Sequence, residues 1–344
     1  MNRYVFSNPI SLSEIFVRMV KITILLNLFL IFGCHHIRDY RISQRVNVLS
    51  KTIFSGGIKR SYHIYIPNSV IDTTQNSDLN QDNSIQKIQN TVNHNKYGLI
   101  LFLHGRYGTG RQAMIQSDFN SVADKHKLII IYPDGFDRSW ADGRGGTPAD
   151  RKGIDDVGFI EEIIKNSLVD YPIDESRIFI SGHSNGGFMT QRMLLEKTEL
   201  FRAGASVVSQ LSENLLRKYR PSKPLSVLFI NGTEDPLVPY YGGYVSDNGL
   251  ILSAEESFDR WVQWNGCIGK GSISKQNSNL SDKTSLVYNL HNNCDNNTSV
   301  GIIKIIGGGH SWPGKMDEIP FIDLGNPTYE INGADTIWNF FESI

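Results

Sequence analysis

The sequence has almost no net charge, few cysteines and no apolar run long enough to cross a membrane. Its 34 basic and 35 acidic side chains nearly cancel, and no dense run of Lys and Arg stands out. This balance argues against an electrostatic nucleic-acid partner and against an acidic polymer as substrate, because both select clustered positive charge. The length of 344 residues suits one large α/β domain with insertions and a targeting segment.

The apolar run at residues 22–32 has the length of a signal-peptide core and follows the basic Lys21. It leads into "IFGC" at residues 31–34, which resembles a bacterial lipobox and makes Cys34 the predicted lipidation site. The alternative is an ordinary signal peptide with an incidental cysteine. Residues 1–34 are therefore predicted to be a signal peptide, and Met19 is a second candidate start. A lipid anchor here would be the chain's only contact with a membrane.

The chain has three cysteines, and the two that lie far from the signal segment are candidates for a disulfide. If the chain is exported, Cys267 and Cys294 are free to pair, because oxidising compartments preserve disulfides. Neither cysteine belongs to a set of four Cys and His residues at zinc-ligand spacing, so a metal site is not expected.

Short apolar runs alternate with amphipathic stretches from Gly98 to the end of the chain. Strands are predicted at "GLILFLHG", "LIIIYPDG", "RIFISGH", "AGASVVS", "LSVLFING" and "VGIIKIIGGG". Helices are predicted around residues 111–126, 155–169, 254–264 and 334–342, with another directly after "RIFISGH". Uniformly apolar strands separated by helices indicate a mostly parallel sheet covered on both faces, so a single α/β domain is predicted over residues 35–344.

Three segments fall outside this alternation. "VNVLSKTIF" and "RSYHIYIP" are predicted to be two strands joined by a turn at Gly56 and Gly57. The polar residues near 68–97 are predicted to form a partly disordered surface insertion. Residues 269–298 are polar and irregular and are predicted to be a loop region.

The stretch "ISGHSNGGFM" at residues 180–189 places Ser184 in a G-x-S-x-G pattern between a predicted strand and a predicted helix. A nucleophile on such a sharp turn needs glycine at Gly182 and Gly186, because side chains there would collide with neighbouring elements. The turn also puts Ser184 at a helix N-terminus, where free N–H groups stabilise developing negative charge. Ser184 is therefore the predicted nucleophile.

A serine nucleophile needs a base and an acid that orients the base, in the chain order serine, acid, histidine on this kind of sheet. "LSVLFINGTEDPLVPY" supplies Asp235 after an apolar strand, and the neighbouring Glu234 is expected to point elsewhere. Only His291 and His310 follow Asp235. His310 is preferred because it comes after a strand and three glycines, whereas His291 lies in a polar stretch.

Two backbone amides are needed to bind the oxyanion that forms during attack. Asn185, directly after the nucleophile, supplies one. The loop after "LILFLHG" supplies the other, with the amide of Arg106 as first candidate and that of Tyr107 as second. His104 is expected to brace this loop through hydrogen bonds.

Seven segments together resemble the polyhydroxybutyrate depolymerase and feruloyl esterase family of secreted α/β-hydrolases. They are "LHGRYGTG", "YPDGFDRSWADGRGG", "DDVGF", "ISGHSNGGFM", "NGTEDPLVPYYGG", "WVQWNGC" and "GGGHSWPG". The resemblance implies a serine esterase without metal or cofactor, and its nucleophile, acid and base fall on Ser184, Asp235 and His310. The family often has cysteine where this chain has Arg106. A long basic side chain there is expected to change substrate entry.

Trp140 and Trp312 lie in these matching segments and are candidates for substrate contact, with loop packing as an equal alternative. Asp155 and Asp156 open a predicted helix and are expected to cap it.

The prediction is an exported serine carboxylic-ester hydrolase that acts through an acyl-enzyme. The expected substrates are polyhydroxyalkanoate-type esters or feruloyl and acetyl esters of polysaccharides. The alternatives are a serine peptidase or thioesterase on the same scaffold, or a non-catalytic polysaccharide-binding surface lipoprotein. An ester is the expected partner and nucleic acid is not. The sequence leaves the oligomeric state open.

Overall fold

The computed structural model describes residues 48–67, 96–245, 249–277, 281–317 and 321–344. The predicted signal peptide, Met19, Cys34 and most of the predicted insertion lie outside the described residues. Across the described ranges, no helix is both long and apolar enough to cross a membrane. The described elements belong to the compact unit Asn47–Ile344.

One large sheet organises the described residues. Its strands follow the order β1-β2-β4-β3-β5-β6-β7-β12-β11-β10, and β8 pairs separately with β9. The strands are β1 (Val48–Ser55), β2 (Ile58–Tyr65), β3 (Tyr97–Leu103), β4 (Leu128–Pro133), β5 (Ile173–His183), β6 (Ala203–Val207), β7 (Ser226–Gly232), β8 (Gly243–Tyr244), β9 (Leu250–Ile251), β10 (Ser272–Gln276), β11 (Ser285–His291) and β12 (Val300–Ile306).

The centre of this sheet is parallel and its two edges are antiparallel. β4, β3, β5, β6, β7 and β12 are parallel neighbours. β1 and β2 extend one edge, and β11 and β10 extend the other. Every residue of β3, β4, β6 and β7 is buried, as expected for parallel strands covered on both faces. The predicted α/β-hydrolase sheet is confirmed.

Helices cover the sheet and connect its parallel strands. They are α1 (Gly110–Ser117), α2 (Phe119–His126), α3 (Pro148–Arg151), α4 (Asp156–Asp170), α5 (Asn185–Glu196), α6 (Glu213–Leu216), α7 (Ala254–Trp264) and α8 (Gly333–Glu342). The predicted single helix over residues 111–126 is wrong. Asp118 adopts a left-handed conformation with φ 62° and divides that stretch into α1 and α2.

The prediction of a loop region over residues 269–298 is also wrong in part. The segment contributes β10 and β11, which pair with each other and attach to β12. Every residue of β10 is exposed, so this edge strand needs no apolar face. Its polar sequence therefore does not show the alternation by which a strand is predicted. The predicted disulfide between Cys267 and Cys294 is present and ties the end of α7 to the chain just before β12.

Of the two acids predicted to cap α4, only Asp155 does so. Its Oδ1 accepts the amide of Gly158 at 2.8 Å. Asp156 is fully buried and forms an ion pair with Arg60 at 2.6 Å, and it also accepts the amide of Ala141. Asp156 therefore joins the β2 edge to the segment that follows β4 and is not a cap.

Candidate active site

The turn from β5 to α5 holds Ser184 in a backbone conformation that few residues adopt. Its φ is 54° and its ψ is −120°, which is strained for a residue with a side chain. The flanking glycines make room for this turn. A Cβ on Gly182 would lie 2.3 Å from the carbonyl oxygen of Gly186, and one on Gly186 would lie 2.1 Å from that of Leu103. The predicted need for glycine at both positions therefore has a steric cause.

Three side chains from three parallel strands meet at the carboxyl edge of the sheet. Ser184 follows β5, Asp235 follows β7 and His310 follows β12. The His310 Nε2 lies 2.8 Å from Ser184 Oγ, and its Nδ1 lies 2.7 Å from Asp235 Oδ2. Residues separated by 126 and 75 positions along the chain thus form a continuous hydrogen-bonded chain.

The acid and the base are buried and fixed by main-chain contacts. Asp235 Oδ1 accepts the amides of Leu237 and Val238, both at 2.8 Å, which leaves Oδ2 facing the imidazole. The His310 amide donates to the carbonyl of Leu324 at 2.6 Å. Because a carboxylate oxygen only accepts, the Nδ1 of His310 donates and Nε2 is left to accept the serine proton.

The rejected alternatives lie elsewhere. Glu234 is exposed beside the buried Asp235. His291 is the last residue of β11, a strand that lies outside the parallel centre of the sheet.

The two predicted oxyanion donors lie in the segments that follow β5 and β3, which are neighbouring strands. Asn185 is the first residue of α5, where an amide has no partner within its own helix. The loop with Arg106 follows β3, the strand next to β5. The amide of Tyr107, the second candidate, already donates to the carbonyl of Arg138 at 2.9 Å. The amide of Arg106 stays the first predicted donor from this loop.

His104 braces the loop after β3. Its Nδ1 donates to the carbonyl of Gly105 at 2.7 Å, and its Nε2 accepts the amide of Gly135 at 2.9 Å. Burial lowers the pKa of His104 to about 4, so the imidazole is neutral at neutral pH.

His183, the residue before the nucleophile, is a feature that sequence reasoning missed. Its ring lies 5.4 Å from that of His310, and its buried Nε2 has no hydrogen-bond partner. Burial lowers its pKa to about 4. A neutral ring here avoids placing a second positive charge beside the base when His310 is protonated. The occurrence of histidine inside the G-x-S-x-G pattern was the available signal.

Trp140 and Trp312, predicted either to contact substrate or to pack the loops, are both buried at this edge of the sheet. Trp140 is fully buried and Trp312 is 1% exposed, so neither indole is open to a ligand. Trp312 packs edge-on against Phe102 at 5.0 Å between ring centres. Both tryptophans pack the loops at this edge of the sheet, which is the alternative that the sequence left open. Within the described ranges, no cluster of His, Cys, Asp or Glu is arranged to hold a metal ion.

A family model of prolyl oligopeptidases matches residues 135–225. This range is less than half of the chain. It contains Ser184 and the turn around it but ends before Asp235 and His310. The match therefore covers the predicted nucleophile but neither the predicted acid nor the predicted base.

Esterases are among the curated relatives of the chain. Feruloyl esterase B of Piromyces equi is 27% identical over 63% of the chain, and the chain spans 40% of its length. The acetylxylan esterase of Coprinopsis cinerea is 28% identical over 70% of the chain and 68% of its own length. The predicted resemblance to feruloyl esterases and the predicted enzyme class, a serine carboxylic-ester hydrolase, are confirmed at this level. The resemblance to polyhydroxybutyrate depolymerases stays a prediction.

A solved structure has the same fold. Acetyl xylan esterase from Aspergillus awamori superposes with a TM-score of 0.53 over 86% of the chain and all of its own length, at 14% identity. At this identity the likeness concerns the fold alone. The chain thus has an α/β-hydrolase fold, and its sequence relatives include feruloyl and acetylxylan esterases.

Proposed function

We propose that this α/β-hydrolase, related in sequence to feruloyl and acetylxylan esterases, is an exported serine esterase that cleaves acyl groups from polysaccharides. The observation that carries the proposal is the hydrogen-bonded chain from Ser184 through His310 to Asp235. If Ser184, His310 and Asp235 had only structural roles, nothing would require their side chains to form one hydrogen-bonded chain at the same edge of the sheet.

The first half of the reaction forms an acyl-enzyme. His310 Nε2 takes the proton of Ser184 as the hydroxyl oxygen attacks the ester carbonyl, and Asp235 holds the resulting imidazolium. The amides of Asn185 and Arg106 bind the tetrahedral oxyanion. His310 then gives its proton to the departing alcohol, and the acyl group stays on Ser184.

The second half returns the enzyme to its starting state. Water adds to the acyl-enzyme carbonyl while His310 takes one of its protons. The carboxylic acid leaves, and the proton returns to the oxygen of Ser184.

The proposed substrates are feruloyl and acetyl esters of polysaccharides. Hydrolysis of polyhydroxyalkanoate-type polyesters is a separate prediction. Feruloylated arabino-oligosaccharide, acetylated xylan and polyhydroxybutyrate, each assayed for released acid, separate the three. We expect release from at least one of the two polysaccharide esters. Hydrolysis of polyhydroxybutyrate alone would contradict the proposed substrate class.

The catalytic assignment is tested with p-nitrophenyl butyrate. Ser184→Ala should abolish turnover while the protein stays folded by circular dichroism. Ser181→Ala is the matched control, because Ser181 is buried three residues earlier in β5 and its hydroxyl has no partner. Equal rates for Ser184→Ala and wild type would refute the assignment.

Peptidase activity is the second candidate function, favoured by the match of residues 135–225 to the prolyl oligopeptidase family. Peptide anilides and thioesters compared with oxygen esters at equal concentration decide between them. A non-catalytic surface lipoprotein would leave a fluorophosphonate probe unreacted. The proposed export, with or without a lipid on Cys34, is tested by mass spectrometry of the mature N-terminus.

A further inference from the structure

The side chains of Asn185 and Asp142 and the main chain of Trp140 form a buried hydrogen-bonded unit, and the Trp140 indole joins it to His104, two residues before Arg106. We infer that this unit, termed the brace, sets the separation of the Asn185 and Arg106 amides and thereby determines the rate of the chemical step. The inference rests on the proposed function, because it assigns positioning residues to that same site. All three side chains are at most 2% exposed.

Asn185 attaches the nucleophile side of the site to the brace. Its Oδ1 accepts the amide of Trp140 at 2.8 Å, and its Nδ2 donates to the carbonyl of Trp140 at 3.2 Å and to Asp142 Oδ2 at 2.6 Å. Every polar atom of this side-chain amide is therefore engaged with residues more than forty positions away. Rotation of the start of α5 would break these bonds together.

Trp140 attaches the opposite side. Its indole Nε1 donates to the carbonyl of His104 at 2.9 Å, two residues before Arg106. The rings of Trp140 and His104 also lie 5.0 Å apart. The amide of Tyr107, next to Arg106, donates to the carbonyl of Arg138 in the same segment. The loop after β3 is thus held from both sides of its proposed donor.

A buried ion pair keeps the brace in place. Asp142 Oδ2 accepts a hydrogen bond from Arg144 Nη2 at 2.8 Å. Both carboxylate oxygens of Asp142 also lie within 3.2 Å of Arg144 Nε. The guanidinium lies 3.9 Å from the ring centre of Phe188 on α5. These contacts fix Asp142 to α5 a second time, so the segment cannot shift without breaking buried polar contacts.

Rigid placement matters because an oxyanion donor acts only when it is already aimed at the developing charge. A brace that joins both donors affects the transition state more than the bound substrate. Loosening it should therefore lower kcat and leave KM nearly unchanged.

The test uses Asn185→Ala, which removes the side-chain contacts and keeps the backbone amide. Its matched control is Asn265→Ala. Asn265 is fully buried and pairs with both main-chain groups of Leu225 and with Thr298, but at the amino end of β7, the opposite edge of the sheet. We expect about a 10- to 100-fold loss of kcat for Asn185→Ala only, with both variants similarly destabilised.

A second pair of variants probes the other half of the brace. Trp140→Phe removes the bond to His104 and keeps an aromatic ring. Trp261→Phe is its control, since Trp261 is equally buried and its indole donates to Gln191 at 2.9 Å. Phenylboronic acid, which adds to a serine hydroxyl as a tetrahedral anion, should bind more weakly to Trp140→Phe and Asn185→Ala, by the factor lost in kcat.

The outcomes separate the two proposals. An inactive wild type would overturn the proposed function. An active wild type with unchanged kcat and boronate affinity in Asn185→Ala and Trp140→Phe would overturn the brace alone. Equal losses in the test and control variants would also overturn it, because stability would then explain the effect.

Discussion

Replacing Asp235 by Asn should inactivate the site through the tautomer of His310 while leaving the fold intact. Asp235 Oδ1 accepts two main-chain amides, so an asparagine here would keep its carbonyl oxygen toward them. Its NH₂ group would then face Nδ1 of His310, where the carboxylate oxygen now lies at 2.7 Å. Two donors cannot share that contact, so the imidazole would carry its proton on Nε2 instead.

An Nε2–H cannot accept the proton of Ser184, whose Oγ lies 2.8 Å away. The loss of the base should lower kcat by about 10⁴-fold, the size found for this change in serine triads. That factor corresponds to about 5 kcal/mol of transition-state stabilisation. Steady-state kinetics with p-nitrophenyl butyrate measure it, and thermal unfolding checks that the variant folds.

Glu234→Gln is the matched control, because it makes the same chemical change one residue earlier on an exposed side chain. Its kcat should equal that of the wild type. A loss of less than about tenfold in Asp235→Asn would refute the argument from the tautomer, since a wrongly protonated base gives far larger losses. Equal losses in both variants would refute the choice of acid.

Four other perturbations have defined outcomes. Gly186→Ala should give inactive or insoluble protein, because its Cβ would lie 2.1 Å from a main-chain oxygen; a soluble, fully active variant would contradict the steric account. Replacing Cys267 and Cys294 by Ser should lower the free energy of unfolding by about 3 to 4 kcal/mol in urea titrations and leave kcat unchanged, whereas equal stability would contradict the role of the cross-link. Acidification from pH 7 to pH 4 should destabilise the fold, because burial holds the pKa of His104 and His183 at about 4, so the unfolded chain binds more protons in this window. His183→Phe should remove up to about 3 kcal/mol of the stability that is lost between pH 7 and pH 4. An unchanged loss of stability would contradict the low pKa assigned to His183.

The sequence was sufficient to identify the parallel sheet and the positions of the three side chains. Uniformly apolar runs separated by helices predict β3 to β7 and β12, because a strand that is buried on both faces consists almost entirely of apolar residues. The turn at Ser184 is predictable for a related reason. Only glycine fits at Gly182 and Gly186, and this steric demand is local to a few residues.

Features that depend on long-range packing were not predictable. β10 and β11 form an antiparallel edge, and the fully exposed residues of β10 carry no apolar periodicity to detect. The break at Asp118 depends on one left-handed residue that helical periodicity does not register. The brace joins Asn185 to a loop more than forty residues earlier, so its partners become visible only once the chain is folded.

The most direct test of the account is to find the acyl group on the enzyme. Wild-type protein mixed with p-nitrophenyl acetate, quenched in acid within the first turnover and digested, should carry one acetyl group on the peptide that contains Ser184. The Ser184→Ala variant should carry none. Active wild-type protein acylated at another residue, or labelled equally in the variant, would contradict the claim that Ser184 is the nucleophile.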